Sequence, residues 1–536
     1  MTRLLHQIVS FLLKPFQRNL SFFLKLWVLI SAADIFFWSL HGNPRFGFYM
    51  GLHGLIYSYV ITLIVGLFRG RFEKGLKVLF YALGIINLIG DTFAHYIMHS
   101  GFTGDMVAVI LGTNWNEGTE FMGTYLTPAV TGFLAATILS LPLIDFLVGE
   151  KRAWHKTITR YSPILLGGIV LLSTLLVFAR RSKNWETIFL HKIALFASYE
   201  KPEDLEKYRT SPTLECGPDA AKNIVLIIGE SLSKTHCSLY GYDKQTMPWL
   251  SGMAGDSLLF VFDSIKAPYI RTGAAFRRLM TDLAGAESKD DPWYRHLFLA
   301  DAAKAAGYQT IWISKQSSAG IWDNEIATIA ELFDSIHWIG AQGVGIQKND
   351  LDEVLLPHVQ SMAQDNGDRK TLYVIHLMGQ HEAFFRRYSS SFAHFTPDDY
   401  ADRPEGQRKL LSEYDNAVLY GDWVVSRLMD CFRENEAVVF FFPDHSLDLF
   451  DSDPTYAGHA RDTEPVSVDA ALNIPFFVFP TEKYRTRFPE RLESIKDARH
   501  RPFNTEDMFY TFLDLADARL AGGDAAADQK SLFFNK

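Results

Sequence analysis

Cysteine is scarce in this chain. Three occur in 536 residues, Cys216, Cys237 and Cys431, with no CxxC pair and no zinc-finger spacing. That excludes a disulfide framework and a thiolate metal cluster; at most one bridge forms, Cys216–Cys237 being the candidate pairing. Basic residues are not in excess either. Fifty-two Lys and Arg face 61 Asp and Glu, for a net charge of −9 and a pI near 6.0, which argues against nucleic acid as the main partner. Low-complexity tracts and repeats of about 20–50 residues are lacking, which excludes solenoids and propellers.

What is present is unevenly spread. A mean hydropathy of +0.01 is high for a chain with 21% charged residues. It fits a strongly apolar part averaged with an ordinary globular one. Five apolar stretches, Ser21–Leu40, Phe48–Phe68, Val78–Met98, Leu126–Val148 and Pro163–Ala179, are long enough to cross a hydrocarbon core of about 30 Å. A cleavable signal peptide does not fit, because the first stretch is too long and four more follow.

Lys and Arg cluster before the first stretch (Arg3, Lys14, Arg18), between the second and third (Arg69, Arg71, Lys74, Lys77) and between the fourth and fifth (Lys151, Arg152, Lys156, Arg160). The positive-inside bias then predicts a cytoplasmic N-terminus and everything after Ala179 on the far side. Asp34 and Asp91 fall inside spans, where an acid either marks function or turns inward and is paired. The pattern divides the chain into a transmembrane anchor (1–181), an amphipathic helix and linker (182–221, with the helix at Ile188–Tyr199) and a soluble domain (222–536).

In the soluble part, short apolar runs alternate with amphipathic segments. The runs are Asn223–Gly229, Thr310–Ser314, Leu372–Leu377, Ala437–Phe442 and Pro475–Phe479. They lack polar residues at alternate positions, as strands buried on both faces of a parallel sheet do. A doubly wound α/β domain is expected, with its chemistry beyond the carboxyl ends of the strands. Those ends carry Glu230, the segment His376–His381, and Asp444-His445. Carboxylates and imidazoles converging on one edge suit Zn²⁺ or Mn²⁺. Glu230 and Asp444 are also suited to capping a following helix, and His376, still inside its strand, reads as a core histidine.

The block NIVLIIGESLSKTHCSLYGYDKQTMPWL (Asn223–Leu250) resembles the opening of the phosphoethanolamine transferases of Gram-negative envelopes, members of the alkaline phosphatase/sulfatase superfamily. Further blocks match in order: IRTGAAFRRLMT, IHLMGQHEAFFRRY, YDNAVLYGDW, PDHSLDLFD and AGHA. The resemblance implies an inner-membrane enzyme with a periplasmic, zinc-dependent domain. It takes phosphoethanolamine from phosphatidylethanolamine onto a threonine and passes it to lipopolysaccharide, with core heptose favoured over lipid A. Carried over, Glu230, Thr272, Asp444 and His445 become metal ligands, with Thr272 the nucleophile. His381 and His459 become phosphoryl-binding or acid–base residues, and leave room for a second zinc. Thr113, Glu117 and Ser317 become headgroup contacts.

The chain departs from the family where Asp-His-Gly-Glu is common: it reads Asp444-His445-Ser446-Leu447, with Asp448 next. Ile270 and Arg278 stand where the lipid A enzymes carry cysteines. Arg271, Arg277 and Arg278 are phosphate-holding candidates, though for the latter two a solvated face serves as well; Arg386 and Arg387 admit the same pair of readings. The rival functions are a phosphoglycerol transferase or phosphodiester hydrolase on the same fold, and a non-catalytic membrane sensor or assembly protein.

Overall fold

The structure is a computed structural model. It describes residues 13–40, 44–98, 115–148, a few positions between 156 and 168, and 207–533 with breaks at 284, 286–290, 317–324, 340–350, 366, 461–464 and 523–528. Two compact units form: Met1–Ile110 with Met122–Glu200, and Leu111–Phe121 with Lys201–Lys536.

Among the described residues the first unit contains four helices long and apolar enough to cross a membrane: α1 (Leu20–Leu40), α2 (Pro44–Gly66), α3 (Arg71–Met98) and α4 (Pro128–Val148). They match the first four expected spans. The fifth stretch lies largely outside the described residues, as does the Ile188–Tyr199 helix. Close approach of α1 and α2 depends on small residues, as in membrane helix pairs: a Cβ at Gly54 would stand 1.8 Å from the Ser31 hydroxyl. Asp34 and Asp91 both face the bundle interior. Asp34 on α1 meets His95 Nε2 on α3 at 2.8 Å, and Asp91 accepts from Asn87 at 2.8 Å. An intramembrane acid is tolerated in such a paired, inward position.

The second unit is built on a seven-stranded sheet. Its strands are β1 (Asn223–Gly229), β2 (Phe260–Phe262), β3 (Gln309–Ser314), β4 (Ser335–Trp338), β5 (Thr371–His376), β6 (Ala437–Pro443) and β7 (Phe476–Pro480), in the order β2-β7-β6-β1-β5-β3-β4. The five strands from β6 to β4 are parallel. Helices cover both faces. Ile224, Leu226, Ile228, Val374 and Phe440 enter one core, and Val225, Ile227, Ile375 and Phe441 the other. Burial on both faces is why these strands lack polar alternation.

The structure adds to or alters the sequence reading at three points. The run at Pro475–Phe479 forms β7 but runs antiparallel to both its neighbours. β2 and β4 are additional edge strands, of three and four residues, too short to show a period. The Cys216–Cys237 bridge does not form: all three cysteines are free, Cys216 exposed and the other two buried. Cys237 donates instead to the Ser233 carbonyl at 3.2 Å.

A thiol-alkylating reagent should therefore label Cys216 alone in the native protein and all three cysteines after denaturation, with no change on adding reductant, as read by intact mass. Protection of Cys216 that reductant relieves would contradict the free-thiol assignment.

Candidate metal centre

Strand register brings the acids together. Parallel pairing aligns Gly229 with Pro443 and Ile228 with His376, so β6, β1 and β5 end at one level in the middle of the sheet. The residues that follow, Glu230 and the pair Asp444-His445, are fully buried. The Asp444 amide donates to the Gly229 carbonyl at 3.1 Å, which continues the ladder one step past the strands.

Glu230, Asp444 and His445 each direct a ligand atom to one region, those atoms lying within 4.8 Å of one another. His445 Nε2 is 3.3 Å from Glu230 Oε1 and 3.6 Å from Asp444 Oδ2. Its Nδ1 faces the Ser446 carbonyl at 2.8 Å, which fixes the ring so that Nε2 points at the carboxylates. Asp444 Oδ2 is buried with no hydrogen-bond partner among the described residues.

The electrostatics carry the same signature. Burial, then the charge of Glu230, pushes the Asp444 carboxyl up to about 8. Burial alone would raise Glu230 as well, but the hydrogen bond and charge of His445 hold it well below its ordinary value. His445 is raised to about 9: burial opposes its charge, and the two carboxylates more than offset that. Two buried acids, one unpartnered oxygen and an oriented imidazole fit a divalent cation; buried charges are otherwise paired or neutralised. The helix-capping alternative fails, because among the described residues no α-helix begins directly after Glu230 or Asp444.

Thr272 opens α5 (Thr272–Leu279) and turns its hydroxyl into this cluster. Its Oγ1 donates to Glu230 Oε2 at 3.1 Å and lies 3.4 Å from His445 Nε2. The four residues carried over as the metal and nucleophile set therefore converge.

His381 arrives on a tight loop after β5. Gly379 has φ +48°, and a Cβ there would stand 2.8 Å from the Glu230 amide nitrogen, so only glycine lets the loop rest on the acid. The Gln380 amide donates to the Glu230 carbonyl at 2.9 Å. Buried Asp352 accepts from the Met378 and Gly379 amides at 2.9 and 2.8 Å. His381 Nδ1 is buried and has no hydrogen-bond partner among the described residues. The His459 ring lies 5.2 Å from that of His445, with its Nδ1 3.6 Å from Glu382 Oε1. Desolvation holds His459 below the usual imidazole value.

Other candidates part from the site. His376 is a core histidine, packed against Phe276 and Trp312 and drawn down to about 4 by burial. Arg277 pairs with Glu325 at 3.3 Å. Arg278 is buried, bonded to the Ala274 and Gly285 carbonyls, and stacked on Tyr269, so the solvated face read for it is corrected. Arg387 donates to the His381 and Glu382 carbonyls at 3.0 and 2.8 Å and so braces the loop, whereas Arg386 is exposed. Arg271, immediately before Thr272, is buried and lies close enough to His459 to act on its charge.

Asp448, in place of the family glutamate, is spent internally. It accepts from Ser467, Ser452 and the Asp451 amide. Thr113 and Ser317 lie outside the described residues; Glu117 lies in the helix Trp115–Tyr125, its side chain likewise outside them. Sequence reasoning missed Asp352, Tyr414 and the geometry of Ser231. For Tyr414 the signal was available, since YDNAVLYGDW matched without any chemical role.

Comparison with known proteins places the fold. The sulfatase family model matches residues 222–518. Phosphoethanolamine transferase EptC of Escherichia coli (strain K12) is 24% identical over 93% of this chain and 91% of its own. The zinc complex of the C-terminal periplasmic domain of EcEptC from Escherichia coli superposes with a TM-score of 0.54, at 23% identity, over 61% of this chain and 90% of that one. The integral membrane lipooligosaccharide phosphoethanolamine transferase A of Neisseria meningitidis gives 0.66 at 17% identity, over 93% of this chain and 95% of that one.

Replacing Asp444 by Asn removes a buried carboxyl whose ionisation burial and Glu230 oppose. Cation-free Asp444→Asn should melt no lower than the cation-free parent. Excess Zn²⁺ should stabilise the parent, by about 2.7 kcal/mol at 100-fold over Kd, and leave the variant unmoved. Calorimetry with and without chelator checks this; equal zinc stabilisation of both proteins would remove Asp444 from the ligand set.

Proposed function

The chain belongs to the sulfatase family, and on that premise we propose that it is a membrane-anchored phosphoethanolamine transferase working through Thr272. One observation carries the reading: a threonine hydroxyl at a helix start, 3.1 Å from a buried glutamate, inside a cluster whose charges call for a cation. The relatives' names supply the group transferred.

Glu230, Asp444, His445 and Thr272 would hold a zinc ion, as three protein ligands plus the reacting oxygen make an open catalytic site. Zinc, when bound, supplies Lewis acidity that lowers the pKa of a hydroxyl and offsets charge on a phosphoryl oxygen. The carboxylate-rich ligand set also admits Mn²⁺; the zinc complex of the EptC relative supports zinc.

In the first half-reaction Thr272 Oγ attacks the phosphorus of phosphatidylethanolamine. The bond from phosphorus to the glycerol oxygen breaks, and diacylglycerol leaves. Phosphoethanolamine remains on Thr272. In the second, an acceptor hydroxyl attacks phosphorus, and the Thr272–phosphorus bond breaks to restore the hydroxyl. His381 and His459 would carry the protons: the one leaving Thr272 passes to the glycerol oxygen, and the one leaving the acceptor hydroxyl returns to Thr272 Oγ. His459, held below its usual value, is suited to the base role near neutral pH. Arg271 is a further cation beside the nucleophile for phosphoryl oxygens.

The donor lives in a bilayer, and withdrawing it costs about 0.8 kcal/mol per CH₂. Tethering the domain to membrane helices raises its effective concentration at the headgroups instead. The distribution of Lys and Arg supports a cytoplasmic N-terminus, with five crossings placing the catalytic domain in the periplasm. The acceptor in this reading is lipopolysaccharide, with core heptose favoured over lipid A by the absence of the lipid A branch's cysteines around Thr272. Thr113, Glu117 and Ser317 are the headgroup contacts in this reading.

Given fluorescent phosphatidylethanolamine and phosphatidylglycerol in mixed micelles, the purified chain should release diacylglycerol from the ethanolamine lipid and carry a phosphoethanolamine adduct on Thr272. Thr272→Ala should lose the adduct and lower turnover by about 10³-fold or more. Release from the glycerol lipid alone rejects the choice of donor; full turnover by Thr272→Ala rejects the nucleophile.

A further inference from the structure

Ser231 follows Glu230 and adopts a left-handed conformation, φ +57°, unusual for a residue other than glycine. Strain of this kind persists only where its surroundings impose it. The source of the imposition is visible. The buried Tyr414 hydroxyl, on α6 (Glu405–Asp430), donates to the Ser231 carbonyl at 2.8 Å and accepts from the Ser233 amide at 2.7 Å. One phenol thus closes the turn on both sides of residue 232.

The turned residue serves both acids at once. Ser231 Oγ donates to Glu230 Oε1 at 2.7 Å, and the Ser231 amide points at Asp444 Oδ1 at 3.4 Å. Asp444 Oδ1 also accepts from the His445 amide at 2.8 Å. The atoms so engaged are Oε1 and Oδ1. Glu230 Oε2 faces Thr272, and Asp444 Oδ2, 3.6 Å from His445 Nε2, is a buried oxygen with no hydrogen-bond partner among the described residues. The positive φ sets where the Ser231 side chain and carbonyl lie relative to its amide.

We infer that Ser231, clamped by Tyr414, is a positioning residue that selects which oxygen of each carboxylate is presented to the cation. This rests on the cation reading of the Glu230–Asp444–His445 cluster. It also gives the Tyr414 block a task that direct contact with substrate does not explain.

The test is a double-mutant cycle read by zinc affinity, from competition with a chromogenic chelator on the full chain in detergent, so turnover is not needed. Tyr414→Phe keeps the ring packed against Phe384 and His236 and removes only the hydroxyl. It should weaken zinc by about tenfold, as loss of an outer-shell partner does. Ser231→Gly keeps the positive φ at no steric cost and removes the donor to Glu230; it too should weaken zinc about tenfold. In the Ser231→Gly background the hydroxyl that the clamp holds against Glu230 is gone, so adding Tyr414→Phe should change affinity less than twofold. Equal effects of Tyr414→Phe in both backgrounds, or unchanged zinc affinity in both single variants, would overturn the inference while leaving the metal site standing. A parent chain that binds no zinc would overturn the metal reading and this inference together.

Discussion

Two carboxylates sharing a dry site set the terms for the rest of this domain. Glu230 and Asp444 follow paired ends of adjacent parallel strands and have no exposed surface. Water cannot screen their repulsion there, so the fold supplies what it can: an oriented imidazole, a few amide and hydroxyl donors, and an opening for a cation. Everything close to them is arranged around that need. The glycine that lets the β5 loop touch Glu230, the first turn of α5, and the aspartate that clamps the loop amides are all ways of holding polar groups near charge without solvent.

α6 gathers the remaining loops. Tyr414, Asp415, Asn416, Tyr420 and Asp422 sit within three turns of this helix, and each fastens a different segment. Asp415 collects His236 and the hydroxyls of Tyr242 and Tyr400. Asn416 binds the His394 and Phe395 backbone. Tyr420 accepts from the Glu353 amide, and Asp422 caps the helix Pro248–Gly255 through the Trp249 and Leu250 amides. These side chains are polar yet buried because each has partners that would otherwise be unsatisfied: backbone groups for four of them, an imidazole and two phenols for Asp415.

Much of this was legible in the sequence, for physical reasons. Strands buried on both faces announce themselves as unbroken apolar runs, and residues just past such runs are the ones a parallel sheet collects at one edge; Glu230 and Asp444-His445 were found that way. Spans of about twenty apolar residues are equally plain. Strand direction was not legible, since the composition of Phe476–Pro480 is the same whichever way it runs. Nor were β2 and β4, too short to carry a period. The arginines around the nucleophile could not be sorted by type alone: charge does not reveal that Arg278 bonds carbonyls and stacks on a ring, or that Arg387 braces a loop. Ser231 was hidden because a left-handed φ at a residue other than glycine leaves no mark in composition.

The pairing of Asp34 with His95 bears on how the anchor is made. The two are 61 positions apart, on the first and third helices. During synthesis the first helix is complete well before its imidazole partner has left the ribosome, and an unpartnered acid in hydrocarbon is costly to keep. The first helix therefore depends on the third to keep that acid paired within the bundle.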